Sequence, residues 1–260
     1  MLASGRTHQG TAVRLDLAYD GTAFSGWAKQ PGRRTVQGEV ERALGIFLRH
    51  PVIVRVAGRT DAGVHAAGQV ASFVTGARVV PERLRLGLNA LLPEDVAVSA
   101  VTCVPEGFDA RAAVARTYRY RLWLASERPA LERHFVWHVH GRVDTEVLVA
   151  SAAVFTGRRD WRALTPSAHL YRDCTREVLA ATWRPAAVIE GCGEEWVFEV
   201  TARSFLHMMV RVMVGSMVEV ALGRLTLDDI AAALTCGERR RMGRTAPARG
   251  LMLMRVAYGG

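Results

Sequence analysis

Lysine is almost missing from this 260-residue chain: of its 34 basic residues, only Lys29 is a lysine. Codon bias in a GC-rich genome explains the choice of arginine, but not the formal net charge of +9. Cysteine is scarce too, and Cys103, Cys174, Cys192 and Cys236 lie far apart, with no C-x-x-C pair and no histidine at ligand spacing. That argues against a disulfide framework and a zinc site, and no metal is expected. The first residues, "MLASGRTHQGT", lack the apolar run of a signal peptide, so a reduced, cytoplasmic protein is expected. No internal repeat or low-complexity tract is visible.

What is present is a half-apolar composition, enough for one large core or two smaller ones. The surplus of arginine points to a polyanion, because clustered cations gain affinity by displacing counterions from phosphates.

The stretch "VRVAGRTDAGVHAAGQVASF" (54–73) sets two apolar runs around a loop that holds Arg59, Asp61 and His65 among three glycines. Asp and Gly are ordinary turn residues, so the loop alone does not mark chemistry.

Before that loop, "VRLDLAYD" (13–20) alternates as a half-buried strand, and Thr35 caps a helix that runs to Arg49. "VIVRVA" (52–57) and "VASFV" (70–74) read as strands, followed by a helix between Pro81 and Pro93 and the strand "VAVSAVTCV" (96–104). The second half has a similar order. "RTYRYRLWL" (116–124) alternates, a helix follows over 144–155, and "REVLAATW" (176–183) and "EWVFEV" (195–200) read as strands. A long helix over 204–222 stops at Gly223, a second carries a capping box of Thr226 and Asp229 and stops at Gly237, and "LMLMRVAY" (251–258) closes the chain as a strand. An α+β fold of two similar domains is expected, 1–106 and 107–260, joined near "PEGFDARAAVAR" (105–116), with helices on one face.

The helix "SFLHMMVRVMVGSMVEVAL" (204–222) is apolar nearly all round yet carries His207, Arg211 and Glu219. A membrane span is disfavoured, since an arginine at mid-span costs at least ~2.5 kcal/mol. A core helix that brings a buried cation to one place fits better. On a helix His207 and Arg211 share a face that Gly215 extends. A buried guanidinium needs an anion, and Asp61, Glu219 or a surface acid could supply it. His207 reads as a hydrogen-bonded core histidine.

Six ordered blocks then coincide: "YDGTAFSGW" (19–27), "TVQGEVERAL" (35–44), "AGRTDAGVHAAGQV" (57–70), "FDARAAVARTYRY" (108–120), "FLHMMVRVMVGS" (205–216) and "GLMLMRV" (250–256). Together they resemble the TruA-type tRNA pseudouridine synthases. The resemblance implies two RRM-like (ferredoxin-like) α+β domains that form one extended antiparallel sheet, a homodimer, tRNA as partner and no cofactor. It implies isomerisation of uridines 38, 39 and 40 in the tRNA anticodon stem-loop. Residue by residue, it makes Asp61 the catalytic aspartate, Tyr118 the tyrosine that stacks on the target base, and Arg211 the partner of the aspartate. Arg59 matches the arginine that displaces the base. His65, Phe205 and Leu251 are expected near the substrate, with a structural role the alternative for His65 and packing for Phe205. The sequence departs from the family where Ala28 follows Trp27, a place often held by Gln, and where "RRDWRAL" (158–164) replaces an "HDFSSF"-like segment.

That chemistry suits these residue types. Uridine becomes pseudouridine by breaking N1–C1′, turning the base, joining C5 to C1′ and losing the C5 proton. An ionised carboxylate is needed, and a nearby guanidinium favours the charged form while burial opposes it. The base must leave the stem, Tyr118 offers it a stacking face, and its phenol could accept or relay the C5 proton. Two rivals have different requirements. An RRM-type binder would show aromatic-rich motifs on its central strands, which "LMLMRV" lacks, and a retaining glycosidase needs two carboxylates ~5 Å apart.

Overall fold

The computed structural model of the protein describes residues 10–186 and 193–259. Cys192 and most of the N-terminal stretch discussed above lie outside the described residues. The chain runs through β1 (Thr11–Tyr19), α1 (Val36–Leu48), β2 (Arg55–Val56), β3 (His65–Thr75), α2 (Pro81–Leu91) and β4 (Val96–Val104). It continues through β5 (Ala115–Leu124), β6 (Trp137–Val139), α3 (Thr145–Ser151), β7 (Gly157–Asp160), β8 (Thr175–Pro185) and β9 (Glu194–Ala202). It ends with α4 (Met209–Ala221), α5 (Leu227–Cys236) and β10 (Leu251–Ala257). All of these strands join one sheet in the order β4-β1-β3-β10-β5-β9-β8-β7, with β2 added on β3 and β6 on β5. The fold is mixed α and β, as the alternating elements predict.

Periodicity explains most of it. In β1 the side chains of Val13, Leu15 and Leu17 are fully buried, while Arg14 and Asp16 pair with each other at 2.6 Å on the opposite face. Thr35 caps α1 by accepting from the Gly38 N–H, and the capping box of Thr226 and Asp229 opens α5. One continuous apolar core runs from Leu15 and Leu44 through Tyr120 and Phe198 to Met213. Each such side chain contributes roughly 1.5–3 kcal/mol by leaving water.

The join between the two ends of the sheet positions everything that follows. β10 lies parallel to β3, pairing Met252 with His65 and Leu253 with Ala66, and antiparallel to β5, pairing Leu253 with Tyr118. The sheet is therefore antiparallel along its main path except at this seam. Ala66, Leu253 and Tyr118 form one row across three strands, about 10 Å from first to last. Gly68 is required at the seam, because a Cβ there would strike the Met254 carbonyl.

Several sequence expectations are corrected. "VIVRVA" shortens to the two residues of β2, since Pro51 has no N–H to donate and the Val54 N–H goes to the Glu41 carboxylate at 3.2 Å. His65 belongs to β3 rather than to the loop. The helix over 144–155 is α-helical only to Ser151 and then tightens into a 3-10 turn. β6 and β7 were not expected, and β7, "GRRD", has no apolar alternation to reveal it; its charges are those of a protected sheet edge. The helix expected from Ser204 begins only at Met209, because Met208 takes the left-handed conformation (φ 60) and the His207 N–H goes to the Tyr171 hydroxyl. His207 therefore precedes α4 and does not share a helical face with Arg211.

α4 is a core helix of 13 residues in which every side chain but those of Arg211 and Glu219 is buried. Among the described residues no helix is long and apolar enough to cross a membrane. Gly215 lets the Arg244 carbonyl lie against the helix, and the Gly243 N–H donates to Ser216 Oγ at 3.0 Å. Residues 243–246 are thereby laid along α4.

Candidate active site

Asp61 sits in the loop between β2 and β3, which is tied down on every side. The Thr60 carbonyl accepts from the Trp27 N–H at 3.0 Å, and Thr60 Oγ1 shares a 2.8 Å hydrogen bond with the Tyr19 hydroxyl. Gln69 donates to the Gly58 carbonyl at 2.7 Å. Burial pushes the Tyr19 phenol up to about 12, so it stays protonated as a member of this network. Two glycines are obligatory here. Gly63 has φ +76, and Gly26, at φ +92, lets the Thr60 carbonyl approach. The loop's glycines thus serve the protein's own packing as well as leaving Asp61 accessible.

The interior arginine finds the loop carboxylate. Arg211 Nη1 lies 3.2 Å from Asp61 Oδ2, and Arg211 Nε donates to the Ala246 carbonyl at 2.8 Å. Ala246 N–H in turn donates to the Arg211 carbonyl at 3.0 Å, so the segment along α4 grips Arg211 by backbone and side chain. The guanidinium fork is divided between a carbonyl and a single carboxylate oxygen. Glu219, the alternative partner, pairs instead with Arg244 at 3.0 Å and Arg224 at 3.3 Å.

Tyr118, 7% exposed, points to the same face of β5 as Arg116 and Tyr120, and its ring meets Phe205 edge-on at 5.2 Å. Burial, reinforced by Tyr19 and Asp61 and opposed by Arg116, raises the phenol well above its ordinary value. At neutral pH it carries its proton and can act in a proton relay, not as a phenolate. Asp61, Arg116, Tyr118 and Phe205 line a cleft of 430 Å³, together with Arg59, which is exposed, and Leu251, while Arg211 reaches Asp61 from outside that lining. That volume suits one nucleotide unit. Among the described residues Asp61 is the one carboxylate in the lining, which removes the basis for a two-acid glycosidase.

His65 is placed elsewhere. It is buried, its Nδ1 accepts from the Gly21 N–H at 3.0 Å, and its Nε2 faces the carbonyls of His134 and Arg249 at 3.0 and 3.2 Å. It braces the seam beneath the cleft and is not among the side chains lining it. His207 is the reverse case: its side chain is 41% exposed, its Nδ1 lies 2.9 Å from Ser167 Oγ and its Nε2 lies 3.6 Å from Asp61 Oδ1. It is no core histidine.

Sequence reasoning passed over Arg116. Its guanidinium reaches four backbone carbonyls, those of Ala57, Arg111, Ala113 and Arg203, at 2.6–3.1 Å, and burial lowers its pKa. The signal was the alternation of "RTYRY", which puts Arg116 on Tyr118's face. Tyr171, which lines the cleft, and Ser167, which meets it only through His207, carry no comparable signal, since they lie in a segment without periodicity. Among the described residues no group of three or more His, Cys, Asp or Glu is placed to hold a metal.

A tRNA pseudouridine synthase family profile matches residues 17–111 and 151–259. The first matched segment contains Arg59 and Asp61, the second Phe205, Arg211 and Leu251, and Tyr118 falls between them. Similar proteins named tRNA pseudouridine synthase A include one from Syntrophotalea carbinolica, 40% identical over 95% of this chain and 96% of its own length. Another from Geobacter sulfurreducens is 38% identical, covering 95% and 99%. A third from Bacillus subtilis is 34% identical, covering 95% and 98%.

Proposed function

The chain belongs to the tRNA pseudouridine synthase family, and from that premise we propose that it isomerises uridines 38, 39 and 40 of the tRNA anticodon stem-loop. The observation that carries the reading is a single carboxylate, Asp61, set beside the Arg211 guanidinium in a cleft floored by an aromatic pair. Asp61 is the catalytic carboxylate, Arg211 orients it, and Tyr118 offers the flipped uracil a stacking face. Arg59, on the exposed rim, takes the place the base vacates in the stem. Phe205 and Leu251 close the apolar side of the cleft so that the detached base is retained while it turns.

Atoms balance without a co-reactant. The N1–C1′ bond breaks, C5–C1′ forms, and the C5 proton departs as N1 regains one. The surplus of arginine supports binding to tRNA phosphates. On the same footing, residues 1–106 and 107–260 form two lobes whose shared seam holds the site, and the protein works as a cytoplasmic homodimer without a cofactor. The test uses purified protein and tRNA transcripts with uridine at each of the three positions, followed by chemical mapping of pseudouridine. Product at those positions is expected. Product confined to another stem, or none, would overturn the proposal.

A further inference from the structure

The reaction above gives no task to His207, which lines the cleft and is held at both its ring and its backbone. Arg211 touches only Oδ2 of Asp61, leaving Oδ1 to face His207 Nε2 at 3.6 Å. The ring is fixed from behind by Ser167 Oγ at Nδ1, 2.9 Å away, and the residue's own N–H is held by the Tyr171 hydroxyl at 3.0 Å. The next residue, Met208, sits at φ 60 and ψ 7, a conformation that costs a non-glycine residue roughly 1–3 kcal/mol and persists only where the surroundings impose it. The turn that aims His207 is therefore built, not incidental. With Nε2 towards a carboxylate, that nitrogen must carry the hydrogen, so in the neutral ring Nδ1 accepts from the Ser167 hydroxyl. The 3.6 Å separation is longer than a hydrogen bond, and such contacts in unliganded enzymes tighten when substrate binds.

We propose that His207 is a positioning residue for Asp61, locking the carboxylate through Oδ1 while Ser167 and Tyr171 hold the imidazole in place. A single contact from Arg211 fixes one oxygen and leaves rotation about the Cβ–Cγ bond open; a second contact on the other oxygen removes it. Misplacement of a reacting group by about 1 Å can cost 10²-fold in rate, so the lock acts on turnover and not on RNA binding. This inference rests on the reading of Asp61 as the reacting carboxylate.

The test is steady-state kinetics on a tRNA transcript, with tRNA affinity and thermal melting measured for each variant. His207→Ala is expected to lower kcat by about 10- to 100-fold with KM within about twofold. His207→Gln, whose amide nitrogen reaches nearly as far as Nε2, should recover to within about threefold of the parent, whereas His207→Asn, ending near Nδ1, should not. Ser167→Ala, which leaves the imidazole in place but unbraced, should lose kcat by a smaller factor and covers the case in which His207→Ala does not fold. Parental kcat in His207→Ala, a loss confined to KM, or a Gln variant no better than Ala would overturn the proposal. Those outcomes leave the parental activity intact, whereas absence of pseudouridine with the parental protein would instead overturn the function proposed above.

Discussion

The two faces of β5 treat arginine in opposite ways. On one face Arg119 pairs with Glu199 at 3.0 Å, and Arg121 pairs with Glu195 at 2.6 Å and Glu132 at 2.8 Å, so each cation meets a carboxylate. On the other face Arg116 is satisfied by four carbonyls, and Arg211, on α4, divides its guanidinium between one acid and a carbonyl. A carbonyl satisfies the donors of a guanidinium without cancelling its charge. The first face is electrically closed, and the second keeps positive charge beside a lone carboxylate, as a cleft for a polyanion should. Counting arginines in the sequence could not separate these two populations; only their partners do.

The largest effect expected from breaking this arrangement is at Asp61. Asp61→Asn keeps the shape of the side chain but loses its charge, and turnover should fall at least about 10³-fold while fold and tRNA affinity are retained. Appreciable pseudouridine formation by this variant would remove Asp61 from the reaction. Arg211→Lys comes next. Lysine keeps the charge but cannot hold the Ala246 carbonyl and Asp61 Oδ2 together, so kcat should drop by about 10²–10³-fold with affinity within about twofold. Unchanged turnover would show that charge alone suffices.

The parts legible in the sequence are those governed by period and by local chemistry. β1, β4, β5, the Thr35 cap and the Thr226 capping box follow from alternation and from side chains within three residues of each other. The Asp61–Arg211 pair is legible as a need, a buried cation in search of an anion, but local pattern does not single out the partner because 150 residues separate the two. His207 was misplaced for a definable reason: helical periodicity extends through residue 204, but a left-handed Met208 breaks it, and a methionine gives no sign of that conformation. Arg116 is legible by parity on its strand, two residues before Tyr118. The parallel seam of β10 on β3 depends on long-range pairing that no local pattern encodes, although Gly68 marks the place where the strands come close.

Tyr118 tests the aromatic half of the open face. With its phenol raised above the ordinary value by burial, Tyr118 keeps its proton throughout the neutral range and can take the C5 proton only by passing its own on. Tyr118→Phe retains the ring, so tRNA affinity should stay within about twofold, since stacking is worth ~1–3 kcal/mol per base. Turnover should fall on the order of 10²-fold. A tRNA deuterated at C5 of the target uridine should then show a large primary isotope effect in the variant and a small one in the parent. Full speed, or slowing without a change in isotope effect, would leave Tyr118 as a stacking platform alone.

The smallest effect on function is expected on the closed face, and it sharpens the comparison most directly. Arg121 donates to Glu195 from Nε and Nη2 at 2.6 and 2.9 Å, and to Glu132 from Nη1. Its removal strands two carboxylates beside a half-buried strand, so Arg121→Gln should cost roughly 1–3 kcal/mol of stability in urea unfolding. The parental protein should lose at least about tenfold in tRNA affinity between roughly 50 and 200 mM salt, because its free cations release counterions from phosphates. If the closed face lies outside that contact, Arg121→Gln leaves both the affinity and the slope of log affinity against log salt unchanged. A slope reduced by about one would place Arg121 on a phosphate, and the division of β5 into a neutralised face and a charged one would fail. Glu195→Gln separates the two explanations of any stability loss: it leaves Arg121 with Glu132 as its remaining acid, raising net charge by one, so a closed face predicts lower stability with no gain in RNA affinity, whereas a face that touches RNA predicts tighter binding.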